Sequence, residues 1–180
     1  MAPSPHLNLI LGSNGAGKTS VLEALYLLGR GRSFRTARIE RVVGGEASTL
    51  TVTGRVEDRG QTVPVGIERG HKVLRVRIGG RDATSMAELA QAFPVQLIQP
   101  NSHKLLEEGP RYRRQFLDWG VFHVEPGFYP AWQRFQRALR QRNAALRGRQ
   151  DERPWDPELL AAAEALDSAR RAYLEELLPR

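Results

Sequence analysis

Gly12-Ser-Asn-Gly-Ala-Gly-Lys-Thr19 has the spacing G-x-x-x-x-G-K-[ST], in which each residue type has a chemical task. Glycine at 12, 15 and 17 removes the side chains that would keep phosphate oxygens away from the main chain. The loop can then turn its N–H groups inward as an anion nest at the start of a helix, whose dipole adds partial positive charge. Lys18 supplies a mobile full charge for the β- and γ-phosphates, and Thr19 offers a hydroxyl to Mg²⁺. The ligand these residues imply is ATP with Mg²⁺. The expected contacts are Gly12, Ser13, Asn14, Gly15, Ala16, Gly17, Lys18, Thr19 and Ser20.

Such a loop needs a strand before it and a helix after it. Leu7-Asn-Leu-Ile-Leu11 is a short apolar run that reads as a buried strand. Val21, Leu22, Leu25 and Leu28 then recur at helical spacing, and Gly29 and Gly31 end the pattern. A basic loop follows, Arg30-Gly-Arg-Ser-Phe-Arg-Thr36. The period next changes to two. Three half-buried strands are expected around Leu50–Glu57, Val63–Glu68 and Leu74–Ile78, joined by short turns as an antiparallel meander. Pro64 predicts a bulge or incomplete pairing in the middle strand. A short helix capped by Thr84 or Ser85 is expected to reach Ala92, and Val95–Gln99 reads as a buried strand. Pro110 opens a helix to Trp119. Two longer helices joined by the polar loop 148–156 make an αα-hairpin. The first carries the stripe Phe128, Trp132, Phe135 and Leu139; the second runs from Pro157 to about Leu178.

The 180 residues carry a formal charge of +7 and no cysteine. Disulfides, thiolate zinc sites and cysteine nucleophiles are thereby excluded. His6, His71, His103 and His123 have no metal-type spacing. No apolar run approaches the roughly 20 residues of a membrane span, and the first residues lack the pattern of a secretory signal. Between Arg111 and Arg149 lie nine arginines, opposed only by Asp118 and Glu125. That clustering points to a polyanion, nucleic acid first, with Arg111, Arg113, Arg114, Arg134, Arg137 and Arg140 as candidate contacts. Arg113 and Arg114 have a second reading, as helical ion-pair partners of Asp118. Phe128, Trp132 and Phe135 read as packing residues rather than as base-stacking ones.

The segment Gly12–Tyr26, the loop Gly31-Arg-Ser-Phe-Arg-Thr36, Tyr112-Arg-Arg-Gln-Phe-Leu-Asp-Trp-Gly120 and Gln141-Arg-Asn-Ala-Ala-Leu146 together resemble the RecF family of ABC/SMC-like ATPases, in order and spacing. The resemblance implies an α/β fold: part of an ABC-type P-loop ATPase head with an antiparallel β-meander and a helical-hairpin arm. The head would occupy residues 1–120, with the P-loop at 12–19 and the meander at 49–78. The truncated arm would occupy 121–180. It also implies ATP-driven homodimerisation, sequence-independent binding of gapped or duplex DNA, and cytoplasmic work with RecO and RecR to load RecA in replication, gap repair and the SOS response.

By the same resemblance Arg35 corresponds to an arginine that reaches the nucleotide; its other reading is a DNA-facing or solvated residue. Gln99 corresponds to the glutamine that touches Mg²⁺ and the attacking water, or is a polar strand end. Gln99-Pro-Asn101 departs from the family's Pro-Glu at this place. Family chains are about twice as long, with strands ahead of the P-loop strand and a Walker B segment and signature loop far beyond it. No apolar run ending in Asp-Glu occurs here, so the sequence is expected to be the N-terminal half of such a chain and to bind ATP without hydrolysing it. The competing expectation is a stand-alone P-loop phosphotransferase acting on a small molecule.

Overall fold

The computed structural model describes residues 2–45, 47–58, 60–100, 107 and 109–178; Asn101 and His103 lie outside them. The chain divides into two compact units, Met1–Leu97 and Ile98–Arg180. The helix that opens at Pro110, expected within a head of residues 1–120, belongs to the second unit.

In the first unit, α1 (Lys18–Arg30) precedes a 3₁₀ turn (Ile39–Arg41), the strands β1 (Thr49–Asp58), β2 (Gln61–Gly70), β3 (Leu74–Ile78) and β4 (Arg81–Asp82), and α2 (Met86–Ala92). The strands form one antiparallel sheet in sequence order. Register puts Val52 opposite Ile67 and Ile67 opposite Val76, so one face is apolar. On it lie Leu28 of α1 and Leu89 of α2, which with Val65, Ile67 and Val76 make the buried core. Gly54 marks the closest approach of α1, since a Cβ there would meet Leu28 Cδ2 at 2.8 Å. Pro64 makes no bulge. It pairs with Arg55 on one side and lies just where the β3 ladder stops, its carbonyl accepting the Gly79 N–H at 2.8 Å. Ser85 is the cap of α2, accepting the Glu88 N–H.

Four expectations are corrected. Residues 7–11 form no strand, and Leu7, Leu9 and Leu11 are 87%, 78% and 79% exposed. An apolar run becomes a strand only where another backbone pairs with it, and β1–β4 make no ladder with this one. Residues 95–99 likewise form no strand; Val95 instead packs on α1. That contact explains Gly29, which lies inside α1 rather than ending it: a Cβ would meet Val95 Cγ2 at 2.4 Å and the Phe93 carbonyl at 2.7 Å. The helix ends at Gly31, left-handed at φ 65°, whose N–H bonds the Leu27 carbonyl. Last, α1 buries Leu27 and Leu28 while Leu22 and Leu25 stay half-exposed, so its inward face is rotated from the one the leucine spacing suggests.

The second unit holds α3 (Pro110–Val124), α4 (Phe128–Arg147) and α5 (Asp156–Leu177), with a 3₁₀ turn (Arg153–Trp155) leading into α5. The α4–α5 hairpin closes on small residues. Ala131, Ala138 and Ala145, seven apart, are buried along α4, and Ala162 and Leu166 are buried on α5. Phe128 is core and Phe135 packs on it, but Trp132 is 36% exposed and stacks on Tyr129, so the aromatic stripe is only partly the packing seam. Arg170 of α5 forks onto Asp118 of α3 through Nε at 2.7 Å and Nη2 at 3.1 Å.

Candidate nucleotide site

The loop ahead of α1 has the backbone its glycines predict. Gly15 and Gly17 adopt φ 84° and 86°, a region in which L side chains are strained, and Gly12 stands at φ 157°. A Cβ at Gly15 or Gly17 would meet nothing within 4 Å. Protein packing therefore does not demand these glycines; the turn does, and it leaves the space before it open. Ala16 N–H donates to the Ser13 carbonyl at 3.2 Å, which tightens the loop, and Gly17 caps α1 with no side-chain bond. The first N–H groups of a helix have no intrahelical acceptor, so this end is built to receive an anion.

Lys18 folds back over the loop. Its Nζ donates to the carbonyls of Gly12 and Ser13, both at 2.8 Å. An ammonium has three donors, so one remains for a phosphate oxygen. Thr19 and Ser20 are at the first turn of α1, Thr19 and Ser20 both open to solvent. One turn on from Thr19 comes a residue the leucine pattern passed over. Glu23 is 6% exposed, the only buried charged residue among those described. Its Oε1 accepts the Ser33 hydroxyl and its Oε2 meets Arg35 Nη1 at 3.3 Å. Ser33 Oγ in turn accepts the N–H groups of Arg35 and Thr36 at 3.0 and 3.2 Å. Phe34 sets its ring edge-on to Tyr26 of α1, centroids 5.5 Å apart. The loop 31–36 is thus clamped along α1, and Arg35 stands beside the P-loop helix with its side chain 57% exposed. A carboxylate four residues after Thr19, with Ser-Phe-Arg downstream, was the available signal.

A family model described as an AAA domain matches residues 2–104. The chain belongs to the AAA domain family. Within the curated proteins it is 50% identical, over 185 aligned residues, to the DNA replication and repair protein RecF of Pseudomonas paraeruginosa strain PA7. It is 51% identical to that of Pseudomonas putida strain GB-1. Both alignments cover 99% of this chain and 50% of the relative, so the chain spans about half the length of the curated relatives it matches. Two solved structures share the fold, one titled the recombination mediator protein RecF-ATPrS in the RecFOR pathway and one its RecF-ATP counterpart. Their TM-scores are 0.79 and 0.80 at 23% identity, covering 92% and 91% of this chain and 47% and 46% of theirs. The resemblance to the RecF family carried by the motifs is borne out, as is the α/β head with its antiparallel sheet. The AAA domain match spans the P-loop, α1, the meander and α2.

Gln99, the other metal candidate, is half-buried in a segment without regular structure. The candidate DNA arginines are Arg111, Arg113 and Arg114 in the first five residues of α3, and Arg134, Arg137 and Arg140 at three-residue spacing along α4. Arg134 lies 3.8 Å from Glu158, an exposed pair that holds it weakly. Asp118, offered as a partner for Arg113 or Arg114, takes Arg170 instead. Arg142 pairs with Asp156 at 2.7 Å, which raises the guanidinium pKa through that hydrogen bond first, and is committed to the hairpin. No helix among the described residues is long and apolar enough to cross a membrane.

Proposed function

We propose that this chain binds ATP with Mg²⁺ on Gly12–Ser20 and DNA on the arginines of α3 and α4, as part of a RecF-type protein of DNA replication and repair. The observation that carries the reading is the open glycine turn at the start of α1 with Lys18 folded across it, in a sequence half identical to proteins named for DNA replication and repair. The N–H groups and the helix dipole hold the phosphates, and Lys18 balances their charge. Thr19 is the P-loop residue that would hold Mg²⁺, which would neutralise charge on the outer phosphates when bound, and the RecF resemblance adds Gln99 as a second candidate. Arg35 is a further nucleotide contact. The RecF resemblance extends the proposal to ATP-dependent homodimers, to RecO and RecR as partners in loading RecA at gaps, to the SOS response, and to the cytoplasm.

The DNA half of the proposal is tested by fluorescence anisotropy of labelled duplexes at rising salt. Arg134→Ala, Arg137→Ala and Arg140→Ala combined should weaken binding equally on unrelated sequences. They should lower the slope of log affinity against log salt by about 1 for each arginine removed. A sequence-selective, salt-insensitive complex would contradict it.

A further inference from the structure

We infer that Glu23 is a positioning residue that holds Arg35 against the γ-phosphate side of the nucleotide site, making the site tell a nucleoside triphosphate from a diphosphate. The inference rests on the nucleotide-binding reading above and adds to it a residue and a selectivity. Thr19 and Glu23 are four apart on α1, so they lie on one face of the helix, and helical side chains lean toward the N-terminus. Glu23 therefore stands one turn along α1 from the residue whose hydroxyl the P-loop would offer to Mg²⁺, and its carboxylate ties Ser33 and Arg35 to that face.

An anion there, alone, would repel the ligand. It is not alone. Both its oxygens are used, one by Ser33 and one by Arg35, and the pair is asymmetric: Glu23 is 8% exposed at its side chain, Arg35 57%. The buried partner fixes and the exposed partner is presented. Ser33 is fully employed as well, its one proton given to Glu23 and its oxygen accepting the N–H groups of Arg35 and Thr36. The same carboxylate thus sets the Arg35 backbone, through Ser33, and its guanidinium, directly. Arg35 has five N–H donors, and one nitrogen accounts for the contact with Glu23. A planar fork anchored on one edge suits the γ-phosphoryl group, which a diphosphate lacks.

The opposite reading makes a distinct forecast. If Glu23 were only an anion near the site, neutralising it would strengthen both nucleotides. Calorimetric affinities for Mg-ATP and Mg-ADP decide, measured on the full chain and on Glu23→Gln, Arg35→Ala, the double variant, and Lys18→Ala. Glu23→Gln should weaken Mg-ATP by about tenfold and leave Mg-ADP within about twofold, and Arg35→Ala should do the same. The double variant should be no weaker than Arg35→Ala alone, because the two act as one unit. Ser33→Ala, which cuts one of the two links, should give a smaller loss of the same kind and serves if Glu23→Gln does not fold. An ATP-to-ADP affinity ratio unchanged or raised in Glu23→Gln or Ser33→Ala, or additive losses in the double variant, would overturn the inference while Lys18-dependent binding stands. Parent and Lys18→Ala binding Mg-ATP equally would remove the nucleotide reading itself, and this inference with it.

Discussion

Gly120 sits on α3 where a Cβ would meet the Tyr173 hydroxyl at 2.3 Å and its ring at 2.4 Å. Gly120→Ala must push the tyrosine away from a core that includes Val121 and Leu166. A loss of about 1–3 kcal/mol in chemical denaturation is expected; an unchanged midpoint would mean the ring moves at no cost. Arg149, just past α4, holds φ 53°, the one left-handed residue other than glycine among those described. Arg149→Gly should therefore stabilise the chain, by about 0.5–1 kcal/mol in the same assay, and a loss would contradict this. Glu88 sets a pH dependence. Its carboxyl is held below the usual range by the Thr84 hydroxyl first, then by the Thr84 N–H at 3.1 Å and by Arg81. Because the folded pKa is the lower one, this stabilisation is complete above the unfolded carboxyl pKa and is lost as pH falls through the folded value. The advantage of the parent over Glu88→Gln in denaturation should be present at about pH 6 and shrink by about pH 3. An equal gap at both would show that the charge is irrelevant. Of these residues the sequence announced little. Glycine at 120 has no meaning until the tyrosine fifty-three positions on is seen to lie against it.

Among the elements, period and punctuation were informative wherever the partner is near in sequence. The meander was legible because strands joined by tight turns pair with their neighbours, and alternation then fixes which face is buried. The hairpin was legible from two helical stretches around a polar loop. Its seam was not: beyond Phe128 the buried residues along α4 are Ala131, Ala138 and Ala145, and alanine carries little signal in a pattern scored by large apolar residues. The two runs read as strands, 7–11 and 95–99, failed for one reason. Apolar composition states a preference, while a strand requires a second backbone to bond. The Asp118–Arg170 fork shows the same limit, joining helices fifty-two residues apart in sequence where helical spacing pointed to Arg113 or Arg114. Both side chains are about three-quarters buried, so Arg170→Met should leave a carboxylate without its two donors and cost about 2–3 kcal/mol. Asp118→Asn with Arg170→Met together should recover part of that loss. Identical stabilities of the single and double variants would contradict the pairing.

Across the chain as a whole, the P-loop was the most legible feature because its chemistry is local: eight consecutive residues make the turn, the cap and the cation. Its surroundings were less so. Glu23 supports a loop ten to twelve residues away through side chains whose types alone do not announce a contact. That use of Glu23 bears on turnover. A carboxylate orienting water must be available to it, and the one buried on α1 beside Thr19 is already bonded to Ser33 and Arg35. The chain is therefore expected to release phosphate from ATP no faster than Lys18→Ala does. Clear turnover above that control would place a catalytic carboxylate elsewhere in the sequence. The nucleotide reading stands or falls on whether Gly12–Ser20 hold the phosphates of ATP, and calorimetric titration of the chain with Mg-ATP, beside Lys18→Ala, measures that. Saturable binding is expected for the parent and a loss of about tenfold or more in the variant, which keeps the glycine turn but loses the cation folded across it. Equal affinities, in two chains of equal stability, would contradict it.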